Sequence, residues 1–174
     1  MLTDWESGLS TTSRHDAGAE MPPATSPVMQ INEARLNFQL VHFDADERLV
    51  NTQQLLRYLT AGLPEEMPES FWIVAMNPNR RPICRMQIKT GVLVACQCLV
   101  PDVFLALLLA EAKSFACLRT QIDGPVRPSL ADGRLLWSLK ETARLMNIEF
   151  VDYFIARLGG AGHYSWRETD RHAA

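Results

Sequence analysis

Apolar and polar positions first fall into a regular pattern near residue 35. Leu36, Phe38 and Leu40 alternate with Arg35, Asn37 and Gln39, which predicts a half-buried strand. Asn51 or Thr52 is placed to cap a short helix carrying Leu55, Leu56 and Leu59, and Gly62 and Pro64 stop it. Phe71 to Met76 is a continuous apolar run. Asn77-Pro78-Asn79 then signals a turn, and Ile83 to Ile88 returns as the second strand of a hairpin. Gly91 breaks the chain before a further strand expected at Val92 to Leu99.

A helix is expected next, over 101 to 113. Pro101 suits a first helical position, and Asp102 sits near the positive end of the dipole. This helix is apolar on nearly every side (Val103 to Ala110), the pattern of a helix sandwiched in its domain or half covered by a partner subunit. Phe115 to Leu118 reads as a strand, and Asp123-Gly124-Pro125 as part of a polar loop. Ser129 opens a helix with Leu135, Leu136, Leu139, Ala143 and Met146 at helical spacing. Ile148 to Ile155 is a strand, Gly159 to Gly162 a loop, Tyr164 and Trp166 a short closing strand, and Glu168 to Ala174 a frayed end. The order of elements predicts an α/β fold of the α+β kind, a mixed sheet flanked by helices.

Residues 1–29 differ. They are rich in Ser, Thr, Ala, Gly and Pro, and read as a disordered tail or an arm that docks on a partner. The division expected is a tail at 1–29, a domain at 30–168 and a C-terminal tail at 169–174. The 174 residues are 47% hydrophobic and 21% charged, enough to fill one core. A net charge of -3 disfavours sequence-independent binding to a polyanion, although it leaves room for a local basic patch. Met1 to Glu20 holds no apolar run of a secretory leader, and the most apolar window, 100 to 112, is too short to span a bilayer. Cys84, Cys96, Cys98 and Cys117 form no Cys-x-x-Cys pair, so free thiols in a reducing cytoplasm are expected.

From about residue 50 to 168 the chain resembles the RadC-like JAB domain, part of the larger MPN/JAMM group. The segments that carry the resemblance are FWIVAMNPNRRPI, the TGVL after it, LVPDVFLALLLAEAKSF, RPSLAD, ARLMNIEFVDYFI and HYSW. The resemblance implies the MPN/JAB sheet architecture, similar to that of cytidine deaminases. It also implies a zinc ion in active relatives, held by two histidines of a His-x-His pair and the aspartate of Ser-x-x-Asp. Counted back from Pro128-Ser129, those positions are Arg119, Gln121 and Asp132. The stretch where the family carries its catalytic glutamate is Arg85-Met86-Gln87-Ile88, with no acid.

The chemistry of these residues decides what the resemblance is worth. Catalytic zinc takes three protein ligands and one open position for water. A guanidinium stays protonated and has no lone pair to give, and without the metal a water is not a nucleophile near neutral pH. The expectation is therefore a degenerate member with no catalytic residues, no metal and no cofactor, its vestigial site marked by Arg119, Gln121, Ser129 and Asp132. Ser129 and Asp132 have the spacing of a capping box. Arg119 is either a solvated loop arginine or a cation that pairs with Asp132 in place of the metal. Asp152 matches the family's Leu-Asp-His, with Tyr153 in place of the histidine, and is expected to be structural.

Three functions fit. The first is a protein-interaction or scaffolding module acting through a protein partner or a homo-oligomer. The second is a metal-dependent peptidase or isopeptidase with ligands recruited elsewhere, such as His163. The third is a DNA-associated accessory protein using a basic patch of Arg80, Arg81, Arg119 and Arg127.

Overall fold

A computed structural model describes residues 47–91, 99–160 and 162–172. The strand expected at 35–40, the N-terminal tail, the Cys96 and Cys98 pair and most of the strand expected at 92–99 lie outside the described residues. Leu99 itself is helical rather than extended.

In chain order the elements are α1 (Thr52–Thr60), β1 (Ser70–Met76), β2 (Pro82–Thr90), α2 (Leu99–Leu109), β3 (Ser114–Thr120), α3 (Leu130–Met146), β4 (Glu149–Ala156), β5 (His163–Ser165) and α4 (Trp166–His172). The strands form one sheet in the order β2-β1-β3-β4-β5. Every neighbouring pair is antiparallel except β3 with β4, which is parallel. Helix α3 makes the crossover between that pair, because parallel neighbours need a long connection. The fold is thus the mixed α+β sheet expected.

Helices cover both faces of the sheet, which is why all seven residues of β1 are buried and the six after Ser70 are an unbroken apolar run. Phe71, Ile73 and Ala75 face the layer built by Val103, Phe104 and Leu107 of α2 and Leu135, Leu139 and Ala143 of α3. Trp72, Val74 and Met76 face Leu55 and Leu59 of α1. Phe115 contacts Phe104 and Phe150 edge to face, at centroid distances of 5.7 and 5.4 Å.

The helix ends follow local chemistry. Asn51 is the cap of α1: its side chain accepts from the Gln54 amide, and the Gln54 side chain reaches back. Helix α2 spans Leu99–Leu109 rather than 101–113. It stops where Glu111 enters the left-handed region (φ 52) and the Ala112 amide reaches back to the Leu107 carbonyl. Lys113 then donates to Met76 and joins the sheet. The expected strand at Trp166 is the start of α4, and residues 168–172 are helical rather than frayed. Ser165 caps that helix by accepting from the Glu168 amide at 3.2 Å.

Two thiols, Cys84 half-buried and Cys117 buried, are inert by position. Burial pushes the Cys84 thiol up to about 11, and pushes Cys117, which also lies near the Asp152 charge, well above the usual thiol range. Titration of the native chain with a thiol-specific disulfide reagent at pH 8 should leave Cys117 unreacted and Cys84 slow, with both released by denaturant. Prompt reaction of Cys117 would contradict its burial.

Candidate functional site

The fold brings Arg119, Gln121, Ser129 and Asp132 together at one end of the sheet. Alternation along β3 places Arg119 on the same face as Phe115 and Cys117, beneath α3. The first turn of α3 supplies Asp132 through its cap: the Ser129 hydroxyl accepts from the Asp132 amide at 3.2 Å, and the Asp132 carboxylate takes the Ser129 amide at 2.7 Å. The capping box is therefore present, and it does more than end a helix. It holds a carboxylate over the sheet.

The third contributor comes from an irregularity. Phe115 pairs with Phe150, but Ala116 pairs with Asp152, so Val151 is an extra residue in β4. The bulge reverses the alternation beyond it. Tyr153 then shares the α3 face with Phe150, and its hydroxyl donates to Asp132 Oδ1 at 2.7 Å.

Five contacts converge on the Asp132 carboxylate. Oδ2 accepts from the Ser129 amide, from the Ser129 hydroxyl at 2.6 Å and from Arg119 Nη2 at 3.1 Å. Oδ1 accepts from Tyr153 and lies 2.8 Å from Arg119 Nε. That last approach is ionic rather than directional, because Nε–H itself has no hydrogen-bond acceptor. The Arg119 side chain is 12% exposed and that of Asp132 3%, so the pair is interior. Arg119 is thus the paired cation, not the solvated one.

Burial alone would raise the Asp132 carboxyl. The Ser129 and Tyr153 hydroxyls, the Ser129 amide and the Arg119 charge outweigh it and hold the group below the usual carboxylate range. Tyr153 moves the other way: burial and the adjacent carboxylate keep its phenol protonated well above the ordinary range. Gln121 completes the surround. Its oxygen lies 3.4 Å from Arg119 Nη2, and its amide nitrogen donates to the carbonyls of Asp123 and Pro125.

The remaining predicted residues lie elsewhere. Asp152 is fully buried beside the start of α4, accepting from the Tyr153 and Arg167 amides and the Ser165 hydroxyl. Burial outweighs these bonds and leaves its carboxyl raised. His163 faces Glu168 at 3.7 Å. The basic patch does not form as one surface. Arg80 is in the β1–β2 turn, ion-paired with Glu149, at the end of the sheet where Met76 pairs with Ser114. Arg119 is at the other end, opposite Phe71, with its side chain 12% exposed. Five residues of strand, roughly 17 Å, separate them. Among the described residues no three His, Cys, Asp or Glu side chains gather as a metal-binding group, and no helix is long and apolar enough to cross a membrane.

Sequence reasoning passed over Arg85, noting only that its stretch lacks an acid. The structure buries it on β2, where Nη1 donates to the carbonyls of Tyr58, Leu59 and Ala61 at 3.2, 3.0 and 2.7 Å. Its guanidinium lies 5.2 Å from the centre of the Trp72 ring.

A mixed sheet with a βαβ crossover, and a Ser-x-x-Asp cap that carries its carboxylate to the sheet end, define a JAB-type domain. Residues 49–171 match the model of the RadC-like JAB domain, and the chain belongs to that family. It is similar to a UPF0758 protein of Chlorobaculum parvum, 22% identical over 163 residues that make up 92% of this chain and 72% of the relative. A UPF0758 protein of Chlorobium phaeovibrioides is 24% identical, with 84% of this chain and 66% of the relative covered. One from Chlorobium luteolum is 22% identical, covering 78% and 60%. The matches thus span between about three-fifths and three-quarters of these relatives' lengths.

Proposed function

We propose that this chain is a RadC-like JAB domain whose metal site has been replaced by a guanidinium, and that it binds a protein partner rather than cleaving one. The observation that supports this is the Arg119–Asp132 pair. Zinc, which the family resemblance implies, does not fit the donor set. Both oxygens of the one carboxylate are engaged, by the Ser129 amide and hydroxyl, the Tyr153 phenol and the guanidinium. A fixed cation within 3 Å of that carboxylate repels a second one. Gln121 offers a neutral amide oxygen, a poor ligand for zinc, and that oxygen faces Arg119. The interior pair does for the fold what a structural ion would do: it ties α3 to β3 and, through Tyr153, to β4.

The apolar surface supports a binding role. Helix α2 buries Val103, Phe104, Ala106 and Leu107 but leaves Leu105, Leu108 and Leu109 exposed. Exposed apolar surfaces of this kind mark contacts with other proteins, which supports a partner there.

Metal analysis tests the reading. Full-length protein incubated with zinc and passed through gel filtration should carry well under one zinc per chain. Changing Arg119 and Gln121 both to histidine should raise that to about one, with Asp132 as the third ligand. One zinc bound by the unaltered chain, lost on Asp132→Ala, would overturn the proposal and direct attention to peptidase activity.

A further inference from the structure

Next to the Asp132 cluster, and sharing Ser129 with it, the outer face of α3 carries a groove of about 700 Å³ lined also by Leu130, Gly133, Arg134, Trp137 and Ser138. That volume falls in the range of roughly 300–1,000 Å³ typical of ligand-binding clefts. We propose that this groove binds an acidic peptide segment of a partner protein, seating one apolar anchor residue between Leu130 and Trp137 and pairing flanking carboxylates with Arg127 and Arg134. The inference rests on the protein-binding reading above and names the surface that carries it.

Three independent observations converge. First, Leu130 is 87% exposed and Trp137 68%, on a helix whose opposite stripe of Leu135, Leu139 and Ala143 already fills the core. Folding has no use for a tryptophan there, whereas tryptophan is the residue most enriched in binding hot spots. Second, Gly133 lies between them within α3. A side-chain carbon at this position would meet nothing within 4 Å, and its φ is not positive. Neither packing nor backbone conformation demands glycine, and glycine inside a helix costs about 0.5–1 kcal/mol relative to alanine. Its effect is to leave open space between Leu130 and Trp137. Third, Arg134 in the groove and Arg127, next in the chain to its lining residue Pro128, are unpaired among the described residues. Arg57, Arg80, Arg119 and Arg144 each meet a carboxylate. The side chains of Arg127 and Arg134 have no hydrogen-bond or ion-pair partner among the described residues.

An apolar slot beside two free guanidiniums selects an apolar anchor with acidic neighbours. A single nucleic-acid strand would instead need several stacking rings and a longer track of cations. The groove has one ring, and the chain's net charge is -3.

The test is fluorescence anisotropy on the full chain with a fluorescein-labelled peptide, Glu-Asp-Leu-Trp-Glu-Asp-Leu. Three controls run beside it: the same peptide with its acids changed to amides, an oligo-dT strand, and a salt series. The acidic peptide should bind with a dissociation constant on the order of 100 µM at low salt, and the amide version at least about fivefold more weakly. Trp137→Ala and Arg134→Glu should each weaken binding about tenfold or more. Gly133→Leu should abolish it while holding or raising the thermal midpoint, since leucine is the better helix former. That combination separates a filled groove from a damaged fold. Tighter binding of oligo-dT than of the peptide, or indifference of peptide binding to Gly133→Leu, overturns the groove assignment. If proteins captured from the source cell are retained equally by wild type and Gly133→Leu, the groove is wrong but the binding reading stands. If the wild type captures no protein and binds no peptide, both fail.

Discussion

Changing Asp132 to alanine is expected to lower the stability of the domain by about 3–5 kcal/mol, the usual cost of leaving a buried charge without its partner. The loss should be read from urea unfolding at pH 7. The two ends of the pair are not equivalent. With Asp132 gone, Arg119 keeps, among the described residues, Gln121 at 3.4 Å, while its side chain stays in the interior. With Arg119 gone, the carboxylate keeps three short hydrogen bonds, from the Ser129 amide and hydroxyl and from Tyr153. Arg119→Met should therefore cost less, about 1–3 kcal/mol. Combining Arg119→Met with Asp132→Leu removes both charges and should be milder than Asp132→Ala alone. Equal losses for the two single variants would show that the cluster does not hold its charges as the structure places them.

The pH dependence gives the same cluster a second signature. The folded state depresses the Asp132 carboxyl below its ordinary 3.8. Its contribution is therefore fully present above that value and is lost as pH falls through the lower folded value. Asp132→Asn should flatten the acid limb of the stability curve. An unchanged acid limb would place the responsible carboxylates elsewhere.

Replacing Arg85 with leucine is expected to cost about 2–4 kcal/mol, largely independent of salt, and to loosen α1 before the rest of the sheet. The reason lies in the last four carbonyls of α1. That of Arg57 takes the Ala61 amide, and that of Thr60 takes the Leu63 amide. Those of Tyr58 and Leu59 accept from Arg85, which adds the Ala61 carbonyl beyond the helix. A leucine would fill part of the space against Trp72 but take the charged donor away from all three carbonyls. Hydrogen exchange should show the amides of α1 losing protection first. Uniform loss across α1 and β3 would mean that Arg85 acts through the sheet rather than through the helix end.

Much of this was legible along the chain. The β1–β2 hairpin declared itself by an Asn-Pro-Asn turn between apolar runs, and α1 and α3 by caps at Asn51 and Ser129. One such signal was passed over: Ser165-Trp-Arg-Glu168 has the same cap spacing as Ser129 to Asp132, and it starts α4 where a frayed end was expected. The ends of α2 were misplaced because its composition is apolar throughout. Periodicity cannot mark a boundary there, and the left-handed turn at Glu111 has no glycine to announce it.

The cluster itself divides along the same line. The residue types at 119, 121 and 132 could be read directly, and with them the expectation, implied by the family resemblance, of a mismatch to a zinc donor set, because ligand chemistry belongs to side chains and needs no coordinates. What the sequence left open was whether Arg119 meets Asp132. That depends on the face of β3 that α3 covers, a property of packing between elements distant in the chain. Tyr153 was beyond reach for a stricter reason. It reaches Asp132 only because Val151 bulges out of β4 and reverses the side-chain alternation, and a bulge is set by the register between two strands rather than by either strand alone. Arg85 is alike: a lone arginine in a strand reads as solvent-facing until a helix end from 24 to 27 residues earlier is folded over it. Local periodicity and caps thus determined which segments are helix and strand. Only the tertiary contacts decided which charges are buried together, because the cost of burying a charge is met by partners that the chain brings from far away.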